Sequence, residues 1–176
     1  GPASPRWASA ASGPASRRWA SAASRAVLGA LGVTILAACQ PSTGLDMSKP
    51  LQDGTWSAQS NADDQGSVGT ITITVEGGSI TSTSYTTAMS DGSDKGGDYG
   101  KDSSGRVFNQ DYYDKAQAAV ASFEEYSEKL TETGDPAKVD VISGATVAHQ
   151  QFVQAAIRAI AQAQGVDGSG AADGVD

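Results

Sequence analysis

Seven residues near the C-terminal end have types and spacing that suit phosphate chemistry. The run 140–146 reads Asp-Val-Ile-Ser-Gly-Ala-Thr and opens a segment whose apolar spacing predicts an amphipathic helix. A helix N-terminus leaves backbone N–H groups unpaired and carries partial positive charge, so it stabilises an anion. Thr146 brings a hydroxyl beside those donors, and Gly144 and Ala145 leave the approach to it uncrowded. The run therefore predicts a place where a phosphate is held or attached.

Two further residues of the run have supporting roles in this interpretation. Ser143 can cap the helix and hydrogen-bond a phosphate, and Asp140 can order the turn or assist a metal during attachment. A phosphodiester keeps one negative charge, so the helix end still stabilises it after attachment. From the residues alone, an ordinary N-cap turn without a ligand explains the same pattern.

Upstream of the run, alternating residues predict a small sheet. Residues 53–59 read as a short first strand, and 68–75 alternates between Ile or Val on one face and Thr on the other. The two glycines at 77 and 78 suit a tight hairpin, and 80–85 returns as the partner strand.

Two longer segments predict helices. Residues 111–130 carry apolar side chains at helical spacing after a capping residue, Asn109 or Asp111. A short strand is predicted at 139–142, and the final helix begins at Gly144 or Thr146 and runs to Gln164, with Gly165 as its stop. The order of elements predicts an α+β domain in which a small antiparallel sheet packs against two main helices.

The N-terminal 38 residues are typical of an export signal rather than of a fold. They contain four Arg and no acidic residue, and the apolar stretch 26–38 is too short for a bilayer span but suits a signal-peptide core. A near-repeat of residues 1–12 at 13–24 reads as a duplicated leader, and a twin-Arg signal at Arg17-Arg18 fits its surroundings poorly.

The end of the apolar stretch predicts a lipid anchor. Residues 36–39, Leu-Ala-Ala-Cys, resemble the bacterial lipobox, in which signal peptidase cuts before a Cys that is then lipidated. Two or three acyl chains on Cys39 suffice for stable anchoring. A buried free thiol is the alternative for this single Cys.

Composition narrows the remaining function classes. Four of the 12 basic residues lie in 1–38, so the rest of the chain carries eight against 20 acidic residues, a net charge of −12, which argues against nucleic-acid binding. One Cys and one His argue against zinc, haem or iron–sulfur sites, so redox chemistry requires an organic cofactor. Residues 39–52 read as the lipidated Cys and a polar tether, and 165–176 as a disordered tail.

The run 140–146 resembles the attachment signal of the covalent FMN-binding domain family, in which the last Thr carries the flavin through a phosphoester. Asp-Gly-Thr-Trp at 53–56 and the hairpin at 75–80 also resemble that family, and the resemblance covers 53–164. Relatives include the flavin-bearing C and G subunits of sodium- and proton-linked membrane oxidoreductases. Similar in layout are the small lipoproteins of extracellular electron transfer in Gram-positive bacteria. The resemblance implies a fold of the FMN-binding domain type.

The resemblance also implies a function and partners. FMN would be joined to Thr146, with Ser143, Gly144, Ala145 and Asp140 around the attachment point. A flavin transferase would move FMN from FAD with Mg²⁺. A quinol or membrane dehydrogenase would reduce the flavin, and an external acceptor would oxidise it, at the extracytoplasmic face of a bacterial membrane. The protein would then carry electrons without acid or base residues of its own.

Other residues are weaker candidates, each with a plainer reading. Lys95 or Lys101, in the long polar loop 86–107, would sit near the flavin's N1–C2=O edge and stabilise the reduced anionic flavin, or be solvated loop charges. His149 would touch the phosphate or be an exposed helix residue, and three glutamates read as a solvated helix face: Glu124, Glu125 and Glu128. Four tyrosines are candidates to cover the flavin ring or to be packing residues: Tyr85, Tyr99, Tyr112 and Tyr113.

Two other functions are compatible with the same sequence. One is a surface lipoprotein that binds FMN or another small ligand non-covalently and conducts no electrons. The other is a structural or interaction lipoprotein in which the run 140–146 has no ligand. No Ser/His/Asp or paired-carboxylate arrangement stands out, so the sequence does not predict a hydrolase.

Overall fold

The computed structural model describes residues 44–168, 170, 172, 173 and 175. The predicted signal peptide, its leader repeat and Cys39 lie outside these residues. Within the described ranges, no helix is both long and apolar enough to cross a membrane.

Three antiparallel strands form a meander in the order β1–β2–β3. They are β1 (Gly54–Gln59), β2 (Val68–Glu76) and β3 (Ser79–Ala88). The hairpin between β2 and β3 turns at two glycines with φ of +59° and +77°, the backbone that a two-residue turn between twisted strands requires. The predicted strands and hairpin are therefore confirmed, with β3 four residues longer than expected, one at its start and three at its end.

The alternation in β2 decides which face of the sheet is covered. Ile71, Ile73 and Val75 are at most 1% exposed, while the Thr residues between them are half-buried on the other face. Such alternation is expected where one face of a sheet meets the core and the other meets water. Both main helices pack against the apolar face.

The first helix, α1 (Gln110–Thr133), packs against β3. Its N-cap is Asn109, whose side chain accepts a hydrogen bond from the N–H of Tyr112 at 3.1 Å. It ends at Gly134, which has φ of +63° and donates its N–H to the carbonyl of Leu130 at 2.8 Å. The predicted helix is confirmed, three residues longer at its C-terminal end.

The second helix, α2 (Thr146–Ala163), packs against β2 and β1 and is buried along most of its length. Five alanines and two isoleucines of this helix are fully inaccessible to solvent, so its backbone lies close to the sheet. Gly165, with φ of +69°, follows its end, as predicted. Of the two predicted starts, the structure has Thr146.

The strand predicted at 139–142 is absent, which corrects the sequence analysis. The N–H of Val139 closes a 3-10 turn on Pro136–Lys138, and the N–H of Ile142 is donated to the Tyr126 hydroxyl at 3.0 Å. Side chains and a turn therefore satisfy this backbone, and the described sheet ends at β1 and β3. A small antiparallel sheet covered by two helices, an α+β fold, is the architecture that results.

Both ends of the described chain contact the domain. In the predicted tether, Gln52 donates its N–H to the carbonyl of Ala163 at 2.8 Å, and the Gln164 side chain donates to the carbonyl of Asp46 at 2.9 Å. Three apolar residues of this segment pack partly buried against the core: Leu45, Met47 and Leu51. Residues 44–52 therefore lie against the fold.

In the C-terminal segment, Ala172 and Val175 are buried, and Asp173 lies 3.3 Å from the Arg158 guanidinium. The composition, which favoured a disordered tail, did not predict these contacts, because they depend on a partner in α2. The predicted disorder at 169, 171, 174 and 176 lies outside the described residues.

We expect Gly69→Ala to lower the free energy of unfolding by about 1–3 kcal/mol, because an added Cβ would lie 2.1 Å from the Tyr85 hydroxyl oxygen. The Tyr85 ring cannot swing away, since its centroid lies 5.3 Å from that of Phe123 and 5.1 Å from that of Phe152. Urea unfolding measures the effect. Gly97→Ala, where a Cβ meets no atom within 4 Å, is the control. Equal midpoints for the two variants would contradict the expectation.

Candidate functional site

The turn before α2 presents its residues to solvent. Gly144 has φ of +84°, a backbone that favours glycine, and no heavy atom lies within 4 Å of the position a Cβ would take. Ser143, Gly144 and Thr146 are exposed, whereas Ala145 is 3% exposed and anchors the turn in the core. A second molecule can therefore reach the Thr146 hydroxyl.

The start of α2 has no side-chain cap. The N-cap is Ala145, so the predicted capping role of Ser143 is wrong: the helix begins two residues later than a Ser143 cap requires. Because alanine offers no acceptor, the first-turn N–H groups have no side-chain partner. They carry the positive end of an 18-residue helix, so this end can stabilise an anion.

Asp140 is exposed and lies in the extended segment before the turn. It has no neighbours that would complete a cation site, because the described part of the chain contains no group of three or more His, Cys, Asp or Glu able to hold a metal ion. The structure brings Ser143, Gly144, Ala145 and Thr146 together and leaves Asp140 at the edge of that turn.

Tyr126 of α1 holds the turn in place, a role that its helical spacing did not reveal. Its hydroxyl accepts from the N–H of Ile142 at 3.0 Å and lies 3.3 Å from the carbonyl of Ala145, to which it donates. Burial raises the pKa of the Tyr126 phenol, so the proton that this donation needs is retained. One buried side chain thus fixes both ends of the turn that carries Ser143 and Gly144.

His149 braces the same segment from α2. Its Nε2 lies 2.6 Å from the carbonyl of Val139, and its ring packs edge-on against Tyr126 with centroids 5.4 Å apart. His149 therefore holds the segment that leads to the turn, a role different from both the phosphate contact and the exposed position considered from the sequence.

A pocket of about 360 Å³ lies beside the start of α2. The residues that directly follow Thr146 line one side of it, and the β1–β2 loop and the long loop after β3 line the rest. Gln151, 5% exposed, ties the β1–β2 loop to α2 by donating to the carbonyl of Ser67 at 2.7 Å. The twelve lining residues are Asp63, Asp64, Gln65, Thr87, Lys95, Tyr99, Ala119, Phe123, Val147, Ala148, Gln150 and Gln151.

An ion pair lies in the wall of this pocket. The Lys95 ammonium lies 3.3 Å from Asp63 Oδ2, and the two side chains are only 9% and 11% exposed. Burial alone would raise the pKa of Asp63, but the N–H groups of Ser67 and Gln65 and the Lys95 ammonium together hold that pKa below its usual value. Asp63 therefore stays ionised, and it joins the β1–β2 loop to the loop after β3.

Two hydroxyls are buried without good partners, one of them on a residue that lines the pocket. Thr87, which lines the pocket, is 1% exposed, and Tyr85 is 6% exposed. They are close enough to interact, but neither makes a hydrogen bond of good geometry. Burial raises the pKa of Tyr85 to about 12, so this phenol stays neutral. A buried hydroxyl facing a pocket can bond to a polar ligand group.

The structure separates the remaining candidates. Of the four tyrosines, Tyr99 lines the pocket, and its ring centroid lies 5.1 Å from the Lys95 ammonium. Lys101 pairs with the exposed Asp98 at 2.7 Å and does not line the pocket.

The other three tyrosines do not line the pocket. Tyr85 lies in the core, so its interpretation as a packing residue is confirmed. Tyr113 donates to the carbonyl of Gly97 at 3.2 Å, and Tyr112 is half exposed. The three glutamates of α1 are exposed, as predicted: Glu124, Glu125 and Glu128.

Sequence reasoning missed Asp63 and Thr87 as site residues. Asp63 begins a short turn that ends at Gly66, and turn chemistry was the one signal that could have drawn attention to it. Thr87 lies at the end of a Thr- and Ser-rich strand, where its type is unremarkable.

Comparison with protein-family models and with curated proteins gives no match. Among solved structures, the chain is similar to that of the CPE2226 protein from Clostridium perfringens, with a TM-score of 0.53 and 23% sequence identity. The similarity covers 65% of this chain and 90% of that one. This likeness supports the α+β fold and says nothing about function.

We expect Tyr126→Phe to destabilise the protein by about 1–3 kcal/mol, because the N–H of Ile142 loses its partner. Amide hydrogen exchange should speed up at Ile142 before it does in the centre of α2. Tyr112→Phe, at a half-exposed position, is the control. Unchanged exchange at Ile142 would show that the hydroxyl does not hold the turn.

The pKa of Asp63 is lower in the folded protein than in the unfolded chain. The ionised carboxylate therefore adds its full contribution to the free energy of unfolding above the usual Asp pKa of about 3.9. This contribution is lost as the pH falls through the lower pKa of the folded state. We expect Asp63→Asn to unfold more readily near neutral pH and to lose less further stability on acidification than the parent. Urea midpoints measured across that acidic range test this. Asp98→Asn, which removes an exposed pair, should change little. Parallel pH profiles for parent and Asp63→Asn would contradict the assignment.

Proposed function

We propose that this protein is a flavoprotein of the covalent FMN-binding type, in which FMN is attached to Thr146 through a phosphoester and carries electrons. The observation that supports this most directly is the exposed Thr146 hydroxyl, at the uncapped start of α2 and next in sequence to residues that line a pocket.

The chain's own groups suit the phosphate end of FMN. A phosphodiester on Thr146 keeps one negative charge, and the first-turn N–H groups of α2 are placed to bond it. Ser143, exposed on the same turn, offers a hydroxyl to that phosphate. Gly144 leaves space for a modifying enzyme, because no heavy atom lies near the position of its missing Cβ.

The pocket suits the ring end. Its volume of about 360 Å³ falls in the range of small-molecule sites, and its lining combines the aromatic residues Tyr99 and Phe123 with polar groups. The buried hydroxyl of Thr87 and the amides of Gln150 and Gln151 are available in type to bond carbonyl and imide groups. FMN, when bound, supplies the electron chemistry, while these residues hold the ring and limit its contact with water.

The wider proposal concerns location and partners, and it rests on the sequence. Cys39 would carry the lipid that anchors the protein at the extracytoplasmic face of a bacterial membrane. A flavin transferase using FAD and Mg²⁺ would load Thr146. A membrane dehydrogenase or a quinol would supply electrons, and an external acceptor would take them.

A non-covalent ligand site is the second candidate, and the pocket is the observation in its favour. Its lining includes Thr87, Lys95 and Asp63 but not Thr146, so a ring ligand could occupy it without attachment. In that case Thr146 would have no part in holding the ligand.

Co-expression with an active flavin transferase tests the proposal. We expect the parent to gain the mass of FMN less one water, and Thr146→Ala to gain nothing, because the alanine has no hydroxyl. Intact mass spectrometry measures both. Thr55→Ala, at another exposed threonine, should load fully, and Thr146→Ser should retain loading. An unmodified parent, with the transferase shown to be active on another substrate, would leave only the non-covalent candidate.

A further inference from the structure

The Lys95–Asp63 pair differs from the other ion pairs of the described residues. Both of its side chains are nearly buried, at 9% and 11% exposed. Each of the other five pairs keeps at least one side chain that is more than 60% exposed. Burying two charges costs solvation energy that their mutual attraction rarely returns in full. Among the ion pairs of the described residues, the one nearly buried pair therefore lies at the wall of the pocket.

The surroundings fix Lys95 at that wall. Its backbone N–H donates to the carbonyl of Thr87 at 2.7 Å, and its ammonium lies over the ring of Tyr99. Asp63 is fixed in turn, because its Oδ1 accepts from the N–H groups of Gln65 at 2.9 Å and Ser67 at 2.8 Å. A cation that a buried carboxylate holds in one place acts on a ligand from a constant distance.

The buried hydroxyl of Thr87 is a second sign of a ligand, because it makes no hydrogen bond of good geometry even with the nearby Tyr85 hydroxyl. This residue is 99% buried, lines the same pocket and has no well-formed hydrogen bond. An unsatisfied buried hydroxyl is costly in a folded protein. A ligand with a carbonyl or imide group beside Lys95 would remove that cost.

We propose that Lys95 favours binding of the reduced, anionic form of a flavin ring in this pocket over the oxidised form, and that the carboxylate of Asp63, which also fixes Lys95 in place, opposes this preference through its own charge. The inference rests on the proposed function, whose ring would occupy this pocket. Reduction by dithionite adds two electrons and one proton, at N5, and leaves one negative charge at N1, while dithionite is oxidised to sulfite. The new charge is attracted by Lys95 and repelled by Asp63; Asp64, which also lines the pocket, repels it too but is exposed, so solvent screens that repulsion.

The two residues should therefore act in opposite directions. Without Lys95, the reduced ring loses an attraction and keeps the repulsion of Asp63. With Asp63 neutral, the attraction of Lys95 is no longer opposed. A purely structural role for the pair predicts instead that both substitutions weaken binding of both forms alike.

The test uses the full chain with Thr146→Ala, so that nothing attaches, and free lumiflavin, which lacks the ribityl phosphate. Anaerobic titration calorimetry at mildly alkaline pH gives the affinity for oxidised and for dithionite-reduced lumiflavin. We expect Lys95→Met to lower the reduced-over-oxidised affinity ratio about tenfold, which for a two-electron couple corresponds to about 30 mV. Asp63→Asn should raise the ratio by a similar factor.

Matched controls come from the exposed pair in the same loop. Lys101→Met and Asp98→Asn change the same charges outside the pocket and should leave the ratio unchanged. Lys95→Arg keeps the charge and should keep most of the ratio, which covers the case in which Lys95→Met fails to fold.

Three outcomes would overturn the inference: no binding of lumiflavin, equal ratios in all variants, or shifts in the same direction for Lys95→Met and Asp63→Asn. None of these depends on covalent attachment, which the mass of the loaded parent reports separately. A chain that binds lumiflavin with the expected ratios but never gains FMN mass would support the charge assignment and reject the attachment.

Discussion

The burial of α2 against the sheet determines the rest of the structure. Its alanines and isoleucines are packed on β1 and β2, so the helix cannot shift or turn without opening the core. With the helix fixed, Thr146 at its first position is fixed as well. Apart from Gln162, the exposed residues of α2 are Thr146 and Val147 in its first turn, and this is where the candidate chemistry lies.

The loops around that turn are held in place by side-chain contacts, although they belong to no helix or strand. Tyr126 and His149, from different helices, together hold both the approach to the turn and the turn itself through three hydrogen bonds. The β1–β2 loop is tied to α2 through Gln151 and to the next loop through Asp63. In these loops, polar side chains bond backbone N–H and C=O groups that have no partner in a helix or sheet. Such bonds are needed because buried polar groups are costly when unpaired.

The sequence predicts an element of this fold correctly where the signal for it lies within the element's own residues. The alternation in 68–75 and the glycines at 77 and 78 are local, and they predict β2 and the hairpin correctly. The segment 139–142 has the composition of a strand, but a strand also needs a partner, and Tyr126 takes that place from 16 residues away. Composition cannot reveal such a competition.

The same distinction applies to the candidate site. The run 140–146 is contiguous, so its residues could be named from the sequence, apart from the cap, which depends on where the backbone first becomes helical. Lys95 and Asp63 are 32 residues apart, and only the fold brings them together. The sequence therefore suggests Lys95 and Lys101 equally, and the structure distinguishes them through their neighbours.

The hydrogen bonds between residues 46–52 and the C-terminal end of α2 determine at which end of this helix the chain enters the domain. Chain that enters the domain at residue 44 meets the end of α2 near Gln164, while Thr146 lies at the opposite end, about 27 Å away along an 18-residue helix. A lipid attached upstream of residue 44 would therefore hold the Gln164 end near the bilayer and the Thr146 end outward. Under the proposed function, redox partners would then meet the protein on the side that faces away from its anchor, at a distance from the bilayer set by the length of α2 rather than by residues 44–52, which lie against the fold.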